Sequence, residues 1–82
     1  MITTHELWTQ CTCPVDQSTD TYLVQVQTTR MLPVEEILAA ARALREVAIF
    51  QEEYTQRLAR QLGARVTTLG YHSGVRTRCV AF

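Results

Sequence analysis

The sequence predicts an α+β domain in the order strand-strand-helix-helix-strand-strand, a four-stranded antiparallel sheet with two helices on one face. Three observations carry this. Stretches of period-2 patterning stand at both ends of the chain, each pair of them broken by a short turn-rich segment: Cys13–Asp20 in the first, His72-Ser73-Gly74 in the second. Between the pairs, apolar residues recur at three- and four-residue spacing, the mark of amphipathic helices. The length, 82 residues without linker, repeat or low-complexity tract, suits one domain over 1–82.

Ile2 to Thr12 is Thr-rich, includes Leu7-Trp8 and lacks a helix-capping sequence; Glu6 to Thr12 reads as the first strand. After the Cys13–Asp20 turn, Tyr22, Val24 and Val26 alternate with Leu23, Gln25 and Gln27, which gives the second strand one apolar face and closes a hairpin. Pro33 suits the first helical position, because its fixed φ is already helical, and Glu35 and Glu36 follow where the helix dipole favours anions. Val34, Ile37, Leu38, Ala41, Leu44 and Ala48 form the apolar stripe of that helix, with Glu35, Arg42 and Glu46 opposite. Val47-Ala48-Ile49-Phe50 reads as a break or junction. A second helix runs from about Phe50 through Tyr54, Leu58 and Leu62, and Gly63 stops it. Val66 to Tyr71 and Val75 to Ala81 form the second hairpin. Two helices cover one sheet face but neither its edges nor its other face, so self-association is expected.

Composition removes several classes of function. All eight basic residues are Arg, so Schiff-base chemistry and any phosphate-gripping lysine are excluded. Net charge is zero and local concentrations of Arg are small, as at Arg57/Arg60 and Arg76/Arg78, which is no strong nucleic-acid footprint for a single chain. Three cysteines, two of them in Cys11-Thr12-Cys13, make a poor disulfide framework and suit a reducing compartment. No apolar run approaches a membrane span, and the expected location is the cytoplasm.

Chemistry concentrates in Cys13-Pro14-Val15-Asp16-Gln17-Ser18-Thr19-Asp20, which sets a thiol and a carboxylate at the two ends of the first turn. A thiol is the most intrinsically nucleophilic common side chain, and a carboxylate can carry the protons of its addition. Read without that chemistry, the stretch is a hairpin turn made of the usual turn residues.

With the element order, these motifs resemble the tunnelling fold, whose members close sheets from several subunits into a barrel and bind purine- or pterin-like ligands between subunits. Within it the chain is similar to the nitrile-handling branch: the 7-cyano-7-deazaguanine reductases and the short QueF-like amidinotransferases of archaeosine synthesis. That family opens its turn with Cys-Pro and places an Asp seven residues after the Cys, as Cys13-Pro14 and Asp20 do. Its Phe/Leu-His-Glu element is matched by Phe50-Gln51-Glu52, with Gln in place of His. The resemblance implies that Cys13 adds to the nitrile carbon to form a thioimide, with Asp20 handling the protons. It further implies that Glu52 accepts hydrogen bonds from the two-donor edge of the guanine-like ring. Taken alone, Glu52 is a solvated helix-face carboxylate like Glu53. Gln51 donates a hydrogen bond but shuttles no proton near neutral pH.

The reductases carry a lysine-bearing Glu-Ser-Lys-Ser-type segment associated with NADPH, where this chain has Leu32-Pro33-Val34-Glu35-Glu36. The resemblance therefore implies the amidinotransferase, with no cofactor: ammonia releases the thioimide of 7-cyano-7-deazaguanine as a formamidine, the base being free or part of tRNA or DNA. The implied assembly is stacked rings of this chain, a decamer. The alternatives are an NADPH-dependent reductase, a non-catalytic 7-deazapurine-binding oligomer, and a zinc-stapled module.

His72, at the tip of the second hairpin, reads as an exposed loop histidine; its alternative is to reach a neighbouring subunit's pocket as the missing His. Cys79 reads as a small core residue on the last strand. Cys11, Cys13, Cys79 and His72 have the ligand types for zinc but lack the usual two-residue ligand gap, so no metal is expected. Trp8 and the tyrosines read as packing residues.

Overall fold

A computed structural model describes residues 1–82. The elements are β1 (Thr3–Thr12), β2 (Thr19–Thr28), α1 (Val34–Ala43), α2 (Gln51–Leu62), β3 (Arg65–His72) and β4 (Val75–Ala81). The strands form one sheet in the order β1-β2-β3-β4, antiparallel throughout, which leaves β1 and β4 as its edges. Alternation sends Cys11, Tyr22, Val24, Val26, Val66 and Thr68 under the helices, where Ile37, Ala40, Leu44, Tyr54, Leu58 and Leu62 complete the core. The opposite face exposes Trp8, at 71%, and Tyr71, at 67%, so these two do not pack in the core as expected; Tyr22 and Tyr54 do.

Three boundaries differ from the sequence reading. β1 begins at Thr3, because Thr3, Thr4 and His5 pair with Thr28, Gln27 and Val26. Asp20 belongs to β2, opposite Cys11, and so sits on a strand rather than at a loop end. α1 ends at Ala43, with Pro33 as its N-cap and not its first residue, so Glu46 and Ala48 lie beyond the helix. What stops α1 is a tertiary pairing. Thr12 N–H donates to the Val47 carbonyl and Ile49 N–H to the Thr12 carbonyl, both at 3.3 Å, and Ala48 forms a parallel bridge with Thr12. This junction brings the start of α2 to the end of β1.

Gly63 ends α2 in the left-handed region at φ 59°, as its sequence position predicts. Gly70 is required for a different reason: a Cβ there would lie 2.6 Å from Cδ1 of Tyr22, whose ring crosses the bare backbone of β3. Gly70→Ala must displace a fully buried ring that packs on Tyr54 at 5.2 Å. We expect it to lower unfolding free energy by about 1–3 kcal/mol, the usual cost of overpacking. Urea denaturation with an unchanged slope would measure this; stability equal to wild type would show that the ring moves freely.

Candidate functional site

The Cys13 turn is built by two backbone hydrogen bonds, Cys13 N–H to the Ser18 carbonyl at 2.8 Å and Gln17 N–H to the Cys13 carbonyl at 2.9 Å, with Gln17 left-handed at φ 61°. Asp16, which the sequence reading passed over, organises it. Its Oδ1 accepts from the Ser18 hydroxyl at 2.7 Å and from Ser18 N–H at 3.0 Å. Those bonds, with the Cys13 thiol as a further donor, hold the Asp16 carboxyl below its ordinary range. Asp-x-Ser after Cys-Pro was the available signal.

The three thiols lie in different surroundings. Cys11 is 1% exposed, its Sγ directed to the Ile49 carbonyl at 4.0 Å, and burial raises its pKa. Cys79 is half-buried, not a full core residue, because β4 is an edge strand; burial raises its pKa as well. Cys13 alone lines a pocket of about 580 Å³, together with Asp16, Asp20, Phe50, Gln51, Glu52, Tyr71, His72 and Thr77. Every residue singled out from the sequence for the site therefore borders one cavity. The zinc arrangement does not form: no three His, Cys, Asp or Glu side chains converge in metal-binding geometry. A second cavity of about 500 Å³, at the far end of the sheet around Arg30 and Arg65, carries no thiol or imidazole.

Gln51 is a buried anchor. It is 2% exposed, and its Nε2 donates to the Thr77 carbonyl at 3.0 Å and to Oγ1 and the carbonyl of Thr68 at 3.1 and 3.3 Å. The hydroxyls complete a directed chain. Thr55 donates to the Gln51 carbonyl at 2.7 Å, so at 2.6 Å it must accept from Thr68, whose oxygen then accepts from Gln51. One end of α2 is thereby pinned to both β3 and β4.

His72 does not sit at the tip of the hairpin. The turn proper is Ser73-Gly74, at φ 51° and 82°, the pair of positive φ values that a two-residue hairpin needs. His72 is thus the last residue of β3, opposite Val75, and alternation places it on the helix side with Thr68 and Gly70. Its Nε2 lies 2.9 Å from Oε1 of Gln51 and its Nδ1 3.9 Å from Oδ1 of Asp20. The other Asp20 oxygen faces the Tyr22 hydroxyl at 3.5 Å. Tyr22 was missed as a site residue, although Asp20 and Tyr22, two apart on a strand, must share a face. Burial raises the pKa of Tyr22 and pushes that of Tyr54 up to about 12, so both stay protonated donors at neutral pH. Glu52 is exposed at the pocket's edge, while Glu53 turns away and pairs with Arg57 at 3.5 Å.

No protein-family model matches the chain, and no curated protein is significantly similar to it. Among solved structures it is similar to the archaeosine synthase QueF-Like in its apo form, with a TM-score of 0.86 and 22% identity over 98% of this chain and 90% of that one. The fold is therefore the one expected, the ββααββ tunnelling fold.

Proposed function

We propose that the chain is an amidinotransferase-type enzyme: Cys13 adds to the nitrile of 7-cyano-7-deazaguanine, and ammonia displaces the resulting thioimide as a formamidine. The observation that carries this is convergence. A pocket-lining thiol, a carboxylate 13% exposed on its side chain, and a rim carboxylate come from the first hairpin and from α2, far apart in sequence, and border one cavity. Asp20 takes the thiol proton and returns it to nitrogen, while Glu52 receives the ring N–H and exocyclic amine. Gln51 contributes through His72 and the sheet rather than by holding ligand, since its amide is already committed. The free thiols and the solved structure's description support the same reading, in a reducing, cytoplasmic setting. No helix is long and apolar enough to cross a membrane. Intact mass after incubation with 7-cyano-7-deazaguanine tests the proposal: one base added per chain is expected, and an unchanged mass over the course of turnover would reject it.

Glu52 carries the recognition. A hydrogen bond to a charged acceptor contributes on the order of 1.5–3 kcal/mol, so Glu52→Gln weakens binding of the base roughly 10- to 150-fold. Glu53→Gln, outside the pocket, leaves it unchanged. Calorimetric titration compares the two, and equal losses would mean that the recognition carboxylate is misassigned.

The assembly belongs to the same proposal. Both edge strands are unpaired and the open sheet face exposes Trp8, Tyr71 and Val80. We expect rings of this chain, stacked as a decamer, with the rim at Glu52 completed by a neighbour. Light scattering at micromolar concentration reads this directly, and a stable monomer would remove the neighbour from the site.

A further inference from the structure

The Gln51 amide has one permitted orientation. The carbonyls of Thr77 and Thr68, 3.0 and 3.3 Å from its Nε2, only accept hydrogen bonds, so the NH₂ group must face the sheet and Oε1 must face His72. Oε1 also only accepts. His72 Nε2, at 2.9 Å, therefore carries the ring proton, and in the neutral ring Nδ1 is the bare nitrogen. It is Nδ1 that faces Oδ1 of Asp20 at 3.9 Å, an ion-pair distance once the ring is protonated. The ring is steadied against Tyr22, centroid to centroid 6.3 Å, and the Tyr22 hydroxyl occupies the other side of the Asp20 carboxylate. Asp20 thus stands between a donor and a base.

We propose that His72 is the proton-holding partner of Asp20, keeping the proton that Cys13 releases on adding to a nitrile until that proton is returned to the substrate nitrogen. The inference rests on Cys13 being the nitrile-adding thiol. In the addition a C–S bond forms, one π bond of the nitrile breaks, and the thiol proton passes by way of Asp20 and His72 to the former nitrile nitrogen. In the release, ammonia nitrogen bonds the same carbon, the C–S bond breaks, and one ammonia proton returns along the path to sulfur. Nothing is oxidised or reduced. His72 acts through Asp20 and is a positioning residue. The titratable groups that border the same pocket are Asp20 of β2, Glu52 of α2, Tyr71 of β3, and Cys13 and Asp16 of the turn, with Tyr22 of β2 behind Asp20; Gln51 and Thr77 are neutral.

This arrangement sets an imidazole from β3 against the Gln51 amide at the start of α2. A sequence pattern searched only beside Glu52 would miss it, because His72 comes to Gln51 through the β3 register and not through the chain.

Two measurements test the proposal. The rate of adduct formation with 7-cyano-7-deazaguanine is followed from about pH 5 to 9, the range in which imidazole titrates. Wild type should show an inflection that His72→Gln loses, with the step slowed by at least about 10²-fold, the scale of acid–base assistance. Affinity for the base, measured in a Cys13→Ala background, should not change, and added imidazole should restore rate to His72→Ala. Independently of nitrile chemistry, nitrogen NMR of the imidazole should show the Nε2–H tautomer and an Nδ1 resonance that changes in Asp20→Asn. A His72→Gln pH profile identical to wild type, or a neutral Nδ1–H ring, would overturn the proposal. Coupling between Asp20 and His72 with no adduct on wild type would uphold the pair and reject the nitrile reading.

Discussion

Cys13→Ala is expected to gain no mass from 7-cyano-7-deazaguanine, whereas wild type, Cys11→Ala and Cys79→Ala should each gain one base per chain. The effect is all-or-none because a methyl group has no lone pair to offer the nitrile carbon. Selectivity among the thiols follows from position: Cys11 is 1% exposed beneath the sheet and Cys79 lies on β4 away from the Cys13 pocket, while Cys13 borders it. Burial also keeps Cys11 and Cys79 as thiols to higher pH than usual, which withdraws their reactive form. Asp20→Asn, which keeps the shape and removes the base, should slow adduct formation by roughly 10²–10⁴-fold while leaving the melting transition in place. Peptide mapping assigns the adduct; finding it on Cys11 would refute the assignment.

The second expected result is that the adduct turns over with ammonium and not with NADPH. Hydride donation would require this site to hold a dinucleotide, whose phosphates call for cations. The pocket offers the reverse: Asp16, Asp20 and Glu52 line it, no Arg does, and the sequence contains no lysine. Glu35 and Glu36, in the segment where the resembling reductases carry lysine, are exposed on the first turn of α1. Ammonia needs only a small polar opening beside the thioimide. With 7-cyano-7-deazaguanine as substrate, NADPH absorbance should stay at background and a formamidine should appear in proportion to ammonium, by chromatography and mass. Stoichiometric NADPH consumption with an aminomethyl product would restore the reductase; an adduct inert to both would indicate a binding protein that has lost turnover.

How far these residues could be read from sequence depended on the range of the interactions involved. Strand alternation and the Gly63 stop are local, and β2, α2 and both hairpins stand close to where the pattern put them. α1 was read too long because Ala43-Leu44-Arg45-Glu46-Val47-Ala48 holds neither Gly nor Pro and continues the apolar spacing; it ends on account of Thr12, far away in sequence. Through the family resemblance, the Cys13–Asp20 offset and the place of Glu52 after Phe50-Gln51 named three residues that border one pocket. His72 was misplaced because three residues were assigned to a turn that uses two, which moved it off the strand and off its face. The Gln51 network joins α2, β3 and β4 and has no local signature.

The Thr12–Ala48 bridge has a consequence for the order in which the molecule comes into being. Each hairpin and each helix closes over neighbouring residues and can form early, but the bridge joins positions that must first find one another across the whole of α1. Until the bridge and the equally long-range β2–β3 pairing have both formed, Cys13 shares the first hairpin with Asp20 and lacks Gln51, Glu52 and His72. A nascent or partly opened chain therefore carries Cys13 without the pocket around it, and the pocket is assembled only by these long-range contacts. Selective labelling of Cys13 by the nitrile base would accordingly report completed folding, and slow replacement of that label during refolding would time the closure.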